Sequence, residues 1–417
     1  MIPIASRVPD PAVRRLTATL YGYAFLSDLV LLYPLYVVFF ADTGLSVGQI
    51  ASLFVVWSAA GIVFEVPSGA WADVVSRRLL LSLAPLVTAA GFALWVLVPS
   101  YPAFALGFLL WGAGGALVSG ALEALVWTEL DRLGAVDRYA RVLGRARTAG
   151  VLGVVVSGVL AGPVLTVGGY PTVGAASVLA GLLAALVATR FPEHRIPAAV
   201  PPAGPDDEGD PGWWGTLRAG VSQVRTRPPV RSAVLLVAVV AADWGALDEY
   251  TPLLALDTGV GAQAVPLLLL LLWAGVTVGG LLAPAGERLG SRGYAALLGL
   301  VGVALAGGAL LRHPAGFVLL AVAFGAAQLA TVLADARLQA RITGTSRATV
   351  TSLAGMATDV LIIVTYAGYG LLATVAGNAV AFALTAGAYL AVALVLLTRR
   401  RTTMPSGVAA ASPQGRD

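Results

Sequence analysis

Three aspartates occupy positions where a charge is expensive. Asp28, Asp243 and Asp359 each lie within an apolar run long enough to cross a membrane, and counting inward from the run ends places each near mid-depth. An ionisable side chain there costs about 3 kcal/mol on insertion scales, so an acid retained at that depth is by default a functional candidate. It can take up and release a proton or, when ionised, hold a cationic ligand. No arginine lies at comparable depth. Asp248 and Glu249 sit further out on the same run as Asp243 and suit an acidic vestibule. The structural alternative is that these acids hydrogen-bond a neighbouring hydroxyl or backbone freed by a proline, and Pro34 and Pro252 supply such breaks.

Other side chains extend the constellation. Tyr33, Tyr36, Trp57, Trp244, Trp273 and Tyr366 lie well inside the same runs. As cavity walls they would favour a lipophilic cation; packed or lipid-facing rings are the alternative. Trp95 and Trp127, near run ends, are expected as interfacial anchors. Glu123 lies at a depth matching Arg145 and Arg147, which predicts a structural ion pair, and Asp335 with Arg337 invites the same reading.

The elements that must position these groups follow from composition. Of 417 residues, 58% are hydrophobic and 12% charged, against about a quarter charged in a soluble domain. All 26 basic residues are arginine, so a phosphate-binding loop that needs lysine is excluded. Zero cysteines exclude disulfides and thiolate metal sites, and two histidines, His194 and His313, cannot build a multi-histidine site. The arginines flank apolar runs rather than forming a solvated basic face, so nucleic acid is not an expected partner. At about 20 residues per crossing, twelve spans are predicted, at roughly 17–41, 46–70, 79–98, 102–128, 141–166, 171–189, 230–256, 262–284, 294–311, 314–338, 347–372 and 376–398.

Arginines gather in alternate connections and at both termini, with Arg312 alone in the other set of loops. The positive-inside rule then puts both termini in the cytoplasm. Residues 191–229 hold no span: Ala198–Gly212 reads as a disordered linker, and Trp213, Trp214, Leu217, Val221 and Val224 share one face of an interfacial helix. The expected organisation is a six-helix bundle over 1–190, the linker, a second bundle over 230–400 and a disordered tail over 401–417.

An internal repeat supports two halves. Asp42-Thr43-Gly44 recurs 215 positions on as Asp257-Thr258-Gly259, and the same shift carries Asp28 onto Asp243. A shift of 214 carries Asp73 onto Glu287 and Arg78 onto Arg292. Two pseudo-symmetric bundles around a cavity form a transporter layout.

The loop after span two reads Gly69-Ala-Trp-Ala-Asp73-Val-Val-Ser76-Arg77-Arg78. It resembles the signature loop of the major facilitator superfamily, G-x-L-a-D-r-x-G-R-[RK], with Trp71 and Ser76 departing from the pattern. The resemblance, carried by loop, span count and central linker, implies an all-α polytopic protein of twelve transmembrane helices in two bundles. It also implies a cytoplasmic latch at Gly69, Asp73, Arg77 and Arg78, with Glu129 and Asp131 as acids for the arginines and Glu287 and Arg292 in the second copy. A purely topogenic role for the arginines is the alternative. The glycines of span five, Gly150, Gly153, Gly158 and Gly162, look somewhat like an antiporter motif, though close helix packing explains them as well. Drug–proton antiporters often carry an arginine in span four; the position here is Phe108.

The expected function is secondary active transport by alternating access, in the form of proton-coupled efflux of a drug-like or metabolite molecule, cationic and lipophilic. The alternatives are a uniporter or importer of a small nutrient, a non-transporting sensor, or a polytopic enzyme; for the last, no nucleophile–base pair or metal-ligand cluster stands at helical spacing. No cofactor is expected. The expected partners are the substrate, the proton and the lipid bilayer, and the expected state is a monomer in a bacterial cytoplasmic membrane.

Overall fold

The computed structural model describes residues 11–194, 218, 221–342 and 347–398, with the backbone alone at 65–74 and 348. Among the described residues there is no strand, and ten helices are long and apolar enough to cross a bilayer. One of these, Tyr139–Ala188, is 50 residues long, more than twice what one crossing takes. At Gly169 its backbone swings to φ 64°, ψ −167°, which divides it into spans five and six. Span one is missing from the ten because it is broken. Its first helix, Pro11–Asp28, ends at the intramembrane aspartate, and a second, Tyr36–Asp42, resumes after an irregular turn over 29–35. With these two adjustments the crossings number twelve.

Span two is Val47–Val74 and span three Arg77–Leu97; span four runs as Tyr101–Val118 and Ala121–Arg132. Span seven is Pro228–Asp248 continued by Thr251–Leu256, span eight Val265–Leu281, and span nine Ser291–Leu310. Span ten is Gly316–Gln339, span eleven Arg347–Ala376, and span twelve Asn378–Thr385 with Gly387–Thr398. In the first half span one packs along span five, and spans three and four pair; in the second, span ten lies against seven, eight and nine. Long apolar side chains such as Leu97, Val167, Leu281 and Val375 are exposed on the outer faces. In water such a surface would aggregate; in lipid it is solvated.

Breaking a helix inside a membrane frees backbone groups that must find partners. Around span one, the Ser157 hydroxyl donates to the Asp28 carbonyl at 3.3 Å, and the Leu32 amide donates to Ser177 Oγ at 3.0 Å. At the break of span seven, Thr251 Oγ1 donates to the Asp248 carbonyl at 2.6 Å. Both repeat loops turn on a glycine of positive φ, 95° at Gly44 and 84° at Gly259. Both aspartates also tie the end of their span to the start of the last span in the same half. Tyr170 donates to Asp42 at 2.5 Å, and Asn378 donates to Asp257 at 3.0 Å. The pseudo-symmetry read from sequence is thus one of bonding.

The bundles meet at the arginine-poor end. Phe54 packs on Tyr250 and Tyr366 with ring centroids 5.3 and 5.1 Å apart. A Cβ at Gly370 would press on Ala51, and one at Gly162 on the Gln263 carbonyl. In the linker region 221–226 is helical, while Trp213, Trp214, Leu217, Ala198–Gly212 and the tail 401–417 lie outside the described residues.

Candidate functional site

Where spans one and seven break, their side chains reach two chambers between the bundles. The first, of about 560 Å³, is lined by Asp28, Tyr33, Phe92 and Trp111 from one half and by Asp248 and Trp273 from the other. The second, of about 450 Å³, has Trp57 and Trp111 on one side and Glu249, Asp359 and Tyr366 on the other. Each chamber therefore combines two carboxylates with aromatic faces, and among the described residues neither wall holds an arginine. Asp248 and Glu249 are neighbours in sequence yet face different chambers, because side chains on successive helical residues leave about 100° apart. What sequence suggests as one acidic vestibule is a division.

A third cavity, of about 400 Å³, lies wholly inside the first bundle. Tyr23, Ser27 and Asp28 line one part, with Thr88 and Trp111 nearby, while Glu123 and Arg147 stand toward the arginine-rich end. Asp28 is common to this cavity and the first chamber. Span five approaches it closely: a Cβ at Gly150 would overlap Asp28 Oδ2, and one at Gly153 would overlap the Phe25 carbonyl. Among the described residues the Asp28 carboxylate has no hydrogen-bond or ionic partner. Asp243 is placed otherwise. It is 6% exposed in the core of the second bundle, its Oδ2 has no partner among the described residues, and it lines none of these three cavities. The reason lies in the breaks: the first helix of span one stops at Asp28, whereas that of span seven runs five residues past Asp243 to Asp248. The carboxylate that shares a chamber with Asp28 is therefore Asp248.

The aromatic expectations divide. Tyr33, Trp57, Trp273 and Tyr366 line the chambers. Tyr36 is buried beside them and its hydroxyl donates to Glu249 Oε2 across the bundle interface. Trp244 belongs elsewhere: its indole donates to Thr331 Oγ1 at 3.2 Å and packs on Phe324 inside the second bundle. Trp95 is no interfacial anchor. It is fully buried, seated where Gly107 has no Cβ, and donates to the Phe104 carbonyl at 3.1 Å. Trp127 is half exposed near the end of span four. Sequence reasoning missed Trp111, which lines all three cavities and stacks on Phe108 with planes 6° apart. Its spacing from Gly115, one turn on along the same wall, is the signal that could have found it.

The expected ion pairs are not formed. Glu123 and Arg147 share a cavity wall, but among the described residues neither they nor Arg145 make a salt bridge. Glu123 follows a break at Gly120, where φ is 72°, and is exposed on that wall. Arg337 does not pair with Asp335; it donates to the Leu289 carbonyl at 3.0 Å and lies 3.9 Å over the Tyr294 ring.

The signature loop is also wired differently from expectation. Arg77 Nη1 donates to the Ala124 carbonyl at 3.2 Å and to Thr128 Oγ1 at 3.1 Å. Glu129, adjacent but turned about 100° around the helix, is buried and accepts from Arg132 Nε at 3.2 Å and the His194 amide at 2.8 Å. Glu193 accepts from the Arg77 amide at 2.7 Å and from the Ser76 hydroxyl, which caps span three. Arg78, Asp131, Glu287 and Arg292 are exposed. Gly69 and Asp73 are helical, and their side chains lie outside the described residues.

Known proteins share this architecture. The profile of the Major Facilitator Superfamily matches residues 18–293. No curated protein matches the sequence. Among solved structures, the nucleoside transporter NupG is similar at 14% identity and TM-score 0.73, over 92% of this chain and 98% of that one. A bacterial homologue of the human lysosomal transporter Spinster, inward-facing and unoccupied, is similar at 16% identity and TM-score 0.66, over 93% and 94%. A mutant of the peptide transporter POT gives 16% identity and TM-score 0.63, over 93% of each chain. At these identities the likeness is one of fold.

Proposed function

The chain belongs to the major facilitator superfamily and is a membrane transporter rather than an enzyme, and from that premise we propose proton-coupled export of a lipophilic organic cation. The observation that carries this reading is the pairing, in each inter-bundle chamber, of two carboxylates with aromatic faces and no arginine among the described lining residues. A cation gains from both the carboxylates and the ring faces, whereas an anion would meet only repulsion. Asp28, Asp248, Glu249 and Asp359 are the groups assigned to proton exchange and cation binding, and Tyr33, Trp57, Trp111, Trp273 and Tyr366 to the aromatic walls. The bundles meet at the arginine-poor end; we infer that the arginine-rich end is the open one and assign it to the cytoplasm of a bacterial cell. The span-two loop, with Asp73 and Arg77, serves as the latch of that side in the opposite state, and the protein acts as a monomer.

The test is transport of a fluorescent aromatic cation in vesicles holding the purified protein. Accumulation should require a proton gradient, collapse with a protonophore, and fall at least about tenfold in Asp28→Asn. Transport that is indifferent to both the protonophore and the substitution overturns the reading, and counterflow without proton movement replaces it with uniport.

A further inference from the structure

A fourth cavity stands apart from the transport chambers. It is a groove of about 490 Å³ at the arginine-rich end of the second bundle, between spans seven, nine, ten and twelve. One end is polar, with Arg337, Arg341, Ser232 and Ser291 on its wall. The rest is aliphatic and includes Leu235 and Val395, which are 54% and 50% exposed on the outer surface. Among the described residues neither arginine has an acidic partner. Arg341 Nη1 donates to the Pro229 carbonyl at 3.3 Å, and Arg337 is held by the Leu289 carbonyl and the Tyr294 ring. Glu287 and Asp335, nearby in sequence, are exposed and pair with neither.

We propose that this groove binds an anionic phospholipid, with the headgroup phosphate between Arg337 and Arg341 and an acyl chain along Leu235, Leu236 and Val395. Two features select this occupant. The guanidinium pair carries two positive charges that no acid among the described residues matches, and guanidinium is well suited to hold phosphate through paired hydrogen bonds. The aliphatic wall is continuous with the lipid-facing surface, so a diffusing acyl chain reaches it without crossing water. Basic pockets between membrane helices on the side where anionic lipid is enriched are physically suited to such headgroups. Arg337 is pre-oriented by its carbonyl and ring contacts, which lowers the entropy lost on binding. Arg341 is exposed and closes over the headgroup.

The experiment is native mass spectrometry of the purified full chain, released from a neutral detergent after titration with phosphatidylglycerol or phosphatidylcholine. The expected result is a retained phosphatidylglycerol that phosphatidylcholine does not match. Retention should fall about tenfold both in Arg341→Gln, which removes charge, and in Leu235→Trp, which fills the groove. These variants act on different walls, and a melting temperature within a few degrees of wild type shows that each is folded. Equal retention of the two lipids, or unchanged retention in both variants, overturns the proposal. Displacement of the lipid by millimolar inorganic phosphate assigns a simple anion site instead and also overturns it. So does a gain in retention when Asp206, Asp207, Glu208 and Asp210 are replaced by their amides, because the acidic linker would then be the resident occupant.

Discussion

The phenol of Tyr36 on span one donates to the carboxylate of Glu249 on span seven, and this bond spans the interface between the bundles. It lies beside the packing of Phe54 on Tyr250, at the end where the halves meet. A buried hydrogen bond of this kind contributes up to about 1.5 kcal/mol, enough to shift an open–closed equilibrium by about tenfold. Tyr36→Phe and Glu249→Leu should therefore loosen this end. The chain has no cysteine, so a single Ala51→Cys reporter, buried at the span two–span eleven contact, reads opening without background. Labelling by a membrane-impermeant maleimide should speed up about tenfold in either variant; an unchanged rate would mean the bond does not hold the gate.

Asp28 and Asp243, equivalent by the sequence repeat, should behave differently when neutralised. Asp28 faces two cavities, whereas Asp243 is buried with an unpartnered oxygen. Asp28→Asn is expected to weaken binding of an aromatic cation about tenfold or more, and Asp243→Asn to leave it within about twofold. Replacing a buried group that lacks partners with a neutral one is neutral or stabilising, so the melting temperature of Asp243→Asn should hold or rise. Isothermal titration and a thermal melt decide both points.

Gly150 and Gly153 are where span five can touch span one. Overpacking a tight contact costs about 1–3 kcal/mol, and here the clash is with backbone and with Asp28 itself. Gly153→Ala should lower the melting temperature by several degrees, while Gly144→Ala, facing open space, should not. Equal effects at the two positions would refute the packing argument.

Trp111 lines both inter-bundle chambers, so on the proposed reading it meets the cation whichever one it enters. Removing a ring that faces a desolvated cation costs about 2 kcal/mol. Trp111→Ala should raise the dissociation constant of an aromatic cation roughly thirtyfold, and Trp111→Phe should recover part of the loss. Tryptophan fluorescence quenching by the same cation should drop in parallel.

Much of the fold is legible because lipid imposes it. Apolar runs, arginine-bearing loops and a repeated Asp-Thr-Gly are one-dimensional signals, and they yield twelve crossings and two halves. The site is less legible because depth along a helix is written in the sequence but direction around it is not. Asp28 and Asp243 have the same depth and different fates, decided by where each helix breaks. Thr128 and Glu129 are neighbours, yet Arg77 reaches the first and His194 the second. Trp95 is seated against Gly107 and buried, whereas Trp111 lies on the open wall beside Gly115.

The division between Asp248 and Glu249 has a mechanical corollary. The two carboxylates leave one helix end about 100° apart, so a turn of that end about its axis moves both at once. On the proposed reading, a cation that draws Asp248 toward itself in the first chamber also shifts Glu249 against Tyr36. Under that reading, occupancy of one chamber and the Tyr36 contact beside the other are linked through one peptide bond.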